Sequence, residues 1–272
     1  MSWGMYSQMA ERRKMGYLIV PNFYAPKCSK YVESENPTNI HALSYDKCNF
    51  NCNYCVFAYR QQETTYRDYD IDVFREKAKE LMKKGNSFKF TGGEPTLDPK
   101  LLDRLKVLRD LGAIIYVDSN GSNKKVLKQA IDDGLIDVLG ISLKGLSKEE
   151  AQQNTFVKNA KICWDNVLEI IQYASGNNHV ETIVTYVCYS DFTLDKLYLF
   201  SSIINEFPDV YLKINNYQPD VRIEKNGLKP MEKEKLTELV KHFLKKEPEW
   251  IGRTILITGA GAVRKFSDVR LL

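Results

Sequence analysis

The chain has 272 residues, 43% of them hydrophobic and 27% charged, which is enough apolar material for one large core. Its net charge of +4 is mildly basic without a dense Lys/Arg stripe, so the composition points away from a nucleic-acid surface and allows an acidic partner. No run approaches the roughly 18 apolar residues that span a membrane, and Tyr17–Val20, behind Arg12, Arg13 and Lys14, stops at Pro21, too short for a secretory signal core.

Residues 1–38, rich in Tyr, Pro, Lys and Ser, read as an extension ahead of a catalytic domain at 39–222, with 223–272 adding a helix and an edge strand. From residue 39 onward, β-rich runs alternate with amphipathic helices, the pattern of βα units around a parallel sheet. Strands are expected near 39–46, 87–91, 113–118, 137–142, 180–187 and 210–215. Asp70 opens a helix that turns Ile71, Phe74, Ala78, Leu81 and Met82 inward and closes at Gly85. In the next, Asp98 and Pro99 read as N-cap and first helical residue, and Leu101, Leu102, Leu105 and Leu108 lead to a stop at Gly112. A third runs from Asn123 to Gly134; others are expected over 158–173, 194–207 and 231–246, and Arg253–Thr258 reads as the edge strand. Their apolar stripes are core, not cofactor boxes.

The chemistry concentrates between the first strand and the first helix, in Asp46-Lys47-Cys48-Asn49-Phe50-Asn51-Cys52-Asn53-Tyr54-Cys55. Three thiolates supply one ligand fewer than a cubane cluster takes, which leaves one iron open for ligand chemistry. The plainer alternatives are an Fe–S electron carrier and a zinc site, although zinc wants a fourth Cys or His, and His41, the nearest, falls at the start of a strand. Cys28, Cys163 and Cys188 are scattered singly, so the six cysteines suit a reducing cytoplasm better than a disulfide framework.

In parallel βα folds, ligands gather at the carboxyl ends of the strands. There the chain places Gly92-Gly93-Glu94-Pro95, then Asp118-Ser119-Asn120-Gly121, then Ser142-Leu143-Lys144, then Cys188, and finally Asn215 through Arg222. Two glycines permit close approach of a ligand and positive φ, and Glu94 offers a charge-assisted acceptor. Taken singly, the first two stretches are ordinary turns, Arg222 a solvated loop residue and Cys188 a small apolar one.

The C-x3-C-x2-C spacing, with Tyr54 before the last thiol, resembles the signature of the radical S-adenosylmethionine superfamily, and residues 40–220 resemble its glycyl-radical activating enzymes. The resemblance implies an α/β fold, a partial (β/α)6 TIM-like barrel with a parallel sheet and a lateral opening. It implies a single [4Fe–4S] cluster on Cys48, Cys52 and Cys55, and S-adenosylmethionine cleaved reductively to a 5′-deoxyadenosyl radical. Tyr54, Gly92, Gly93, Glu94, Asp118, Ser119, Asn120, Ser142, Lys144 and Asn215 become the expected cofactor contacts. Of these, Gly92–Glu94 would serve the ammonium, Lys144 the carboxylate and Asn215 the adenine. Ser142 stands where those enzymes have Asp, and Thr182 where they have Arg. Cys188, expected near the barrel mouth, is a candidate hydrogen donor. The mildly basic charge allows reduced flavodoxin or ferredoxin as an acidic electron donor. A protein or peptide is the expected substrate, with a small molecule or nucleoside as the alternative.

Overall fold

Successive residues of a strand face opposite sides of the sheet, and here both sides are covered, by helices outside and by packed side chains within. The computed structural model describes residues 18–19, 40–45, 47–55, 70–207, 209–219, 227–259 and 262–265. Seven parallel strands pair in chain order: β2 (Ile40–Tyr45), β3 (Ser87–Gly92), β4 (Ile114–Ser119), β5 (Val138–Leu143), β6 (Glu181–Cys188), β7 (Val210–Asn216) and β8 (Thr254–Gly259). β1 (Leu18–Ile19) lies antiparallel on β2, and β9 (Ala262–Lys265) antiparallel on β8. Among the described residues nothing pairs β1 with β9, so the sheet stays open at one side.

The helices are α1 (Ile71–Met82), α2 (Leu101–Asp110), α3 (Lys124–Asp132), α4 (Lys148–Thr155), α5 (Ala160–Cys163), α6 (Asp165–Ser175), α7 (Leu194–Asn205) and α8 (Lys233–Lys246). One face of every parallel strand from β3 to β8 packs on them in the main core, through Phe88, Phe90, Ile115, Val117, Leu139, Ile141, Val184, Leu212, Ile214 and Leu256. The other face closes on itself in a smaller cluster of Tyr116, Val138, Ile183 and Ile255, with Tyr211 and Ile257 beside it. Leu108, fully buried on α2, illustrates the dependence of the outer layer on packing: truncation to Ala costs about 2–5 kcal/mol.

All six expected strands are present, and the run expected as an edge strand becomes a seventh parallel strand, with β9 outside it. Asp70 caps α1 as expected, accepting from Asp72 N. Asp98 does not cap α2, which begins at Leu101; its carboxylate accepts from Lys100 N, from Tyr45 OH and from Arg104. The helix expected over 158–173 is split at Trp164 into α5 and α6. α4 was not anticipated, because only Ala151 and Thr155 of it are buried, although Ser147 and Glu150 spell a capping pair: Ser147 Oγ accepts from Glu150 N, and Glu150 Oε2 from Leu146 N.

Candidate active site

The cysteine loop leaves the end of β2 and is pinned on two sides. On one side Asn51 N donates to the Thr155 carbonyl at 3.1 Å and Asn53 N to the Asn154 carbonyl at 3.0 Å, so the loop rests on the C-terminal turn of α4. On the other, Gly93 N donates to the Tyr45 carbonyl and Glu94 N to the Lys47 carbonyl, both at 2.7 Å. A Cβ on Gly93 would overlap that Lys47 carbonyl, and Gly92 has φ +101°, so both glycines are required where the loop meets β3. Cys48, Cys52, Cys55 and Tyr54 all pack around one apolar patch with Phe50, Ala151 and Cys163.

Burial pushes the Cys52 thiol up to about 11 and raises Cys48 as well, while Lys144 draws both back. Cys48 Sγ accepts from Phe50 N at 3.4 Å and from Asn120 Nδ2 at 3.7 Å. Three grouped thiols met by amide donors and a lysine form a donor set that fits a thiolate-held iron–sulfur cluster, whose sulfurs such hydrogen bonds stabilise. Among the described residues no three His, Cys, Asp or Glu side chains are placed to hold a single metal ion. His41 packs at a tilt against Phe88 and sets its Nε2 3.0 Å from the Gly85 carbonyl, on the helix side of the sheet.

Glu94 is completely buried. Its Oε1 accepts from Thr96 N at 3.1 Å, Thr96 Oγ1 at 2.6 Å and Ser119 Oγ at 2.8 Å, and its Oε2 from Asn120 N at 2.7 Å. Burial nonetheless raises the carboxyl above its ordinary value, the four donors opposing it. The expected ammonium acceptor is thus turned into the protein, where it ties the end of β3 to the end of β4, and Ser119 turns with it. Asn120, held by that bond, extends its amide toward Asn49 Oδ1 (2.9 Å) and Cys48.

Lys144 stands over the Tyr54 ring, its Nζ 5.6 Å from the centroid. Tyr54 continues into an aromatic row, 5.9 Å to Tyr189 and 5.6 Å from there to Tyr217, and the Tyr189 hydroxyl is buried with no partner among the described residues. Asn215, on the inner face of β7, also has its Oδ1 buried with no partner among the described residues, whereas Asn216 beside it is consumed by Met231 and the Thr258 carbonyl. Ser142, half-buried, is paired with Thr185 across β5 and β6.

Cys188 lies elsewhere: fully buried in the helix-side core among Tyr186 and Phe192, with its thiol pushed up to about 12 by burial, and so not at the mouth. Thr182 is near the start of β6, at the end of the strand away from the mouth. Cys163 packs beneath the cysteine loop. Cys28 and Arg222 lie outside the described residues.

Sequence reasoning missed a charged interior. Lys89 Nζ on β3 is 2.6 Å from Asp118 Oδ2 and 4.4 Å above the Tyr116 ring, and Thr91 Oγ1 donates to the same carboxylate oxygen at 3.3 Å. Burial would raise Asp118, but Lys89 and then Lys213 hold it below the ordinary carboxylate value. Lys213, facing inward from β7, is lowered to about 8 by burial and then by Lys89.

Residues 43–199 match the model of the radical SAM superfamily. A Methanocaldococcus jannaschii protein named as a glycyl-radical enzyme activating enzyme is 27% identical over 180 residues, 65% of this chain and 67% of the relative. Streptococcus suis SuiB bound to S-adenosylmethionine superposes with a TM-score of 0.62 at 14% identity, over 92% of this chain and 59% of that one. The same protein bound to precursor peptide SuiA gives 0.56 at 15% identity, over 77% and 46%. TYW1 with a lysine–pyruvate adduct gives 0.55 at 17% identity, over 90% of both chains. The solved structures, at these identities, speak to the fold.

Proposed function

Since this chain belongs to the radical SAM superfamily, we propose that it is an activase-like enzyme that takes a hydrogen atom from a protein or peptide segment presented at the open side of its sheet. Bound at Cys48, Cys52 and Cys55, a [4Fe–4S] cluster with S-adenosylmethionine supplies the reductive cleavage that generates the hydrogen-abstracting radical. The protein's own part is positioning. Gly93 lets the cysteine loop lie directly on β3, Glu94 locks Asn120 in place, and Asn120 donates to Cys48. Lys144, beside Cys48, Cys52 and Tyr54, offers the cation for the cofactor carboxylate. Asn215, whose buried oxygen has no partner among the described residues, offers adenine a hydrogen-bonding edge. A reduced flavodoxin or ferredoxin is the matching electron donor.

The observation that carries this reading is the convergence of the three thiols, Asn120 and Lys144 at the carboxyl ends of β2, β4 and β5. The peptide choice is supported by the unclosed sheet, by the name of the M. jannaschii relative and by the peptide held in SuiB. Incubation with deuterated candidate peptides should place deuterium in 5′-deoxyadenosine. Label arriving only from a small metabolite or nucleoside would establish the second reading, which the charged interior around Lys213 favours.

A further inference from the structure

We propose that the barrel interior between β3, β4 and β7 is an anion subsite, in which a carboxylate carried by the substrate lodges against Lys213 opposite Lys89. Asp118 is fully engaged on the β3 side of this interior. Its carboxylate already accepts from Lys89 at 2.6 Å and Thr91 at 3.3 Å, and the Tyr116 hydroxyl crowds the same space over Gly140. A Cβ at position 140 would overlap both Asp118 Oδ1 and the Tyr116 hydroxyl, so these two groups occupy the space over Gly140 and cannot swing across to serve a second lysine.

Lys213 is therefore left, among the described residues, without a direct ion-pair partner, with Asp118 acting on it only at longer range. Its neighbours in the sheet are Thr185 on β6 and Ile255 on β8, and no described residue lies within hydrogen-bonding or ion-pair distance of its ammonium. Lys89 repels it more than Asp118 attracts it. The other titratable groups on the inner face, among the described residues, are Tyr116 below Asp118, Tyr211 two residues before Lys213 on β7, and Glu181 at the start of β6, and neither Tyr211 nor Glu181 is among the groups that act on Lys213. A partly buried ammonium beside a second lysine is an unfavourable arrangement unless an anion joins it. Asn215, two residues further toward the mouth on the same face, leaves the subsite about 6–7 Å deeper than the expected adenine contact, where a substrate would lie beneath the cofactor.

This inference goes beyond the function proposed above, and its test needs no cofactor cleavage, so the two can fail separately. The whole protein is labelled with trace acetic anhydride across a pH series, and the acetylation of Lys213 is followed by peptide mass spectrometry. In chloride buffer the Lys213 profile should have its midpoint near pH 8. Replacing chloride with glutarate at equal ionic strength should raise that midpoint by about one unit or more, and cut labelling at the original midpoint by about fivefold or more, with surface lysines such as Lys79 unaffected. A short glutamate-containing peptide that protects equally well identifies the carboxylate as a peptide's; protection by glutarate alone identifies a small acid. A Lys213 profile that glutarate does not move, or protection shared by the surface lysines, overturns the subsite.

Discussion

Glu94→Ala should behave as a folding mutation before it behaves as a binding mutation. The buried carboxylate receives two backbone amides, Thr96 N and Asn120 N, and two hydroxyls, Thr96 Oγ1 and Ser119 Oγ. The hydroxyls can rotate to other acceptors, and Ser119 already accepts from Gly121 N. The two amides cannot, and each buried orphan costs about 1–3 kcal/mol. Relief from burying the carboxylate offsets part of this, which leaves a net loss on the order of 3 kcal/mol. In a chain of this size such a loss lowers the melting temperature by about 6–12 °C. The assay is thermal unfolding of iron-free protein without S-adenosylmethionine, which removes both ligands from the comparison. Glu94→Gln should fall between the two, since it keeps one acceptor oxygen but sets its NH2 against one of the donors. An Ala variant that melts within about 2 °C of wild type yet binds the cofactor poorly would refute the reasoning and return Glu94 to direct contact.

Gly93→Ala should displace the cysteine loop from β3 and reduce the iron retained after reconstitution, because its Cβ meets the Lys47 carbonyl; iron content at wild-type level would contradict the close approach. Lys144→Ala should keep the cluster and weaken cofactor binding by about 10–100-fold, the worth of one charge-assisted contact, as read by equilibrium binding. Asn120→Leu should make the cluster harder to reduce, since an amide donor to the Cys48 sulfur is lost; a potentiometric titration decides the sign. Lys213, lowered from 10.5 to about 8, binds fewer protons folded than unfolded between those values. Its burial penalty is therefore complete below pH 8 and vanishes above pH 10.5. Wild-type stability relative to Lys213→Met should rise across that window, as measured by urea unfolding at a series of pH values.

The strands were legible because parallel strands covered on both sides read as short apolar runs, and the cysteine loop because its spacing has few other uses. The same double coverage hid the facing of β6. Cys188 follows Tyr186 by two, so it shares the helix side with Val184 and Tyr186, while Glu181 and Ile183 face inward; an apolar run carries no mark of which face is which. The interior charges did leave a signal in Phe88-Lys89-Phe90 and Leu212-Lys213-Ile214, a lysine at one position of an otherwise apolar strand. Glu94 stands out in Gly92-Gly93-Glu94-Pro95, but two of the four bonds to its carboxylate come from Thr96 in the turn that follows it and two from Ser119 and Asn120 at the end of β4, and only the folded register shows which way the carboxylate turns. Asp98 was read as a cap because Asp-Pro fits that pattern, whereas tertiary partners, Tyr45 and Arg104, claim its carboxylate.

The most direct test of the account is reduction of the anaerobically reconstituted protein with dithionite in the presence of S-adenosylmethionine, followed by chromatography for 5′-deoxyadenosine. The account predicts 5′-deoxyadenosine and methionine from wild type, and neither from a variant in which Cys48, Cys52 and Cys55 are all Ala. Protein that takes up iron and sulfide yet leaves S-adenosylmethionine intact, or that produces 5′-deoxyadenosine equally well without the three cysteines, would contradict it.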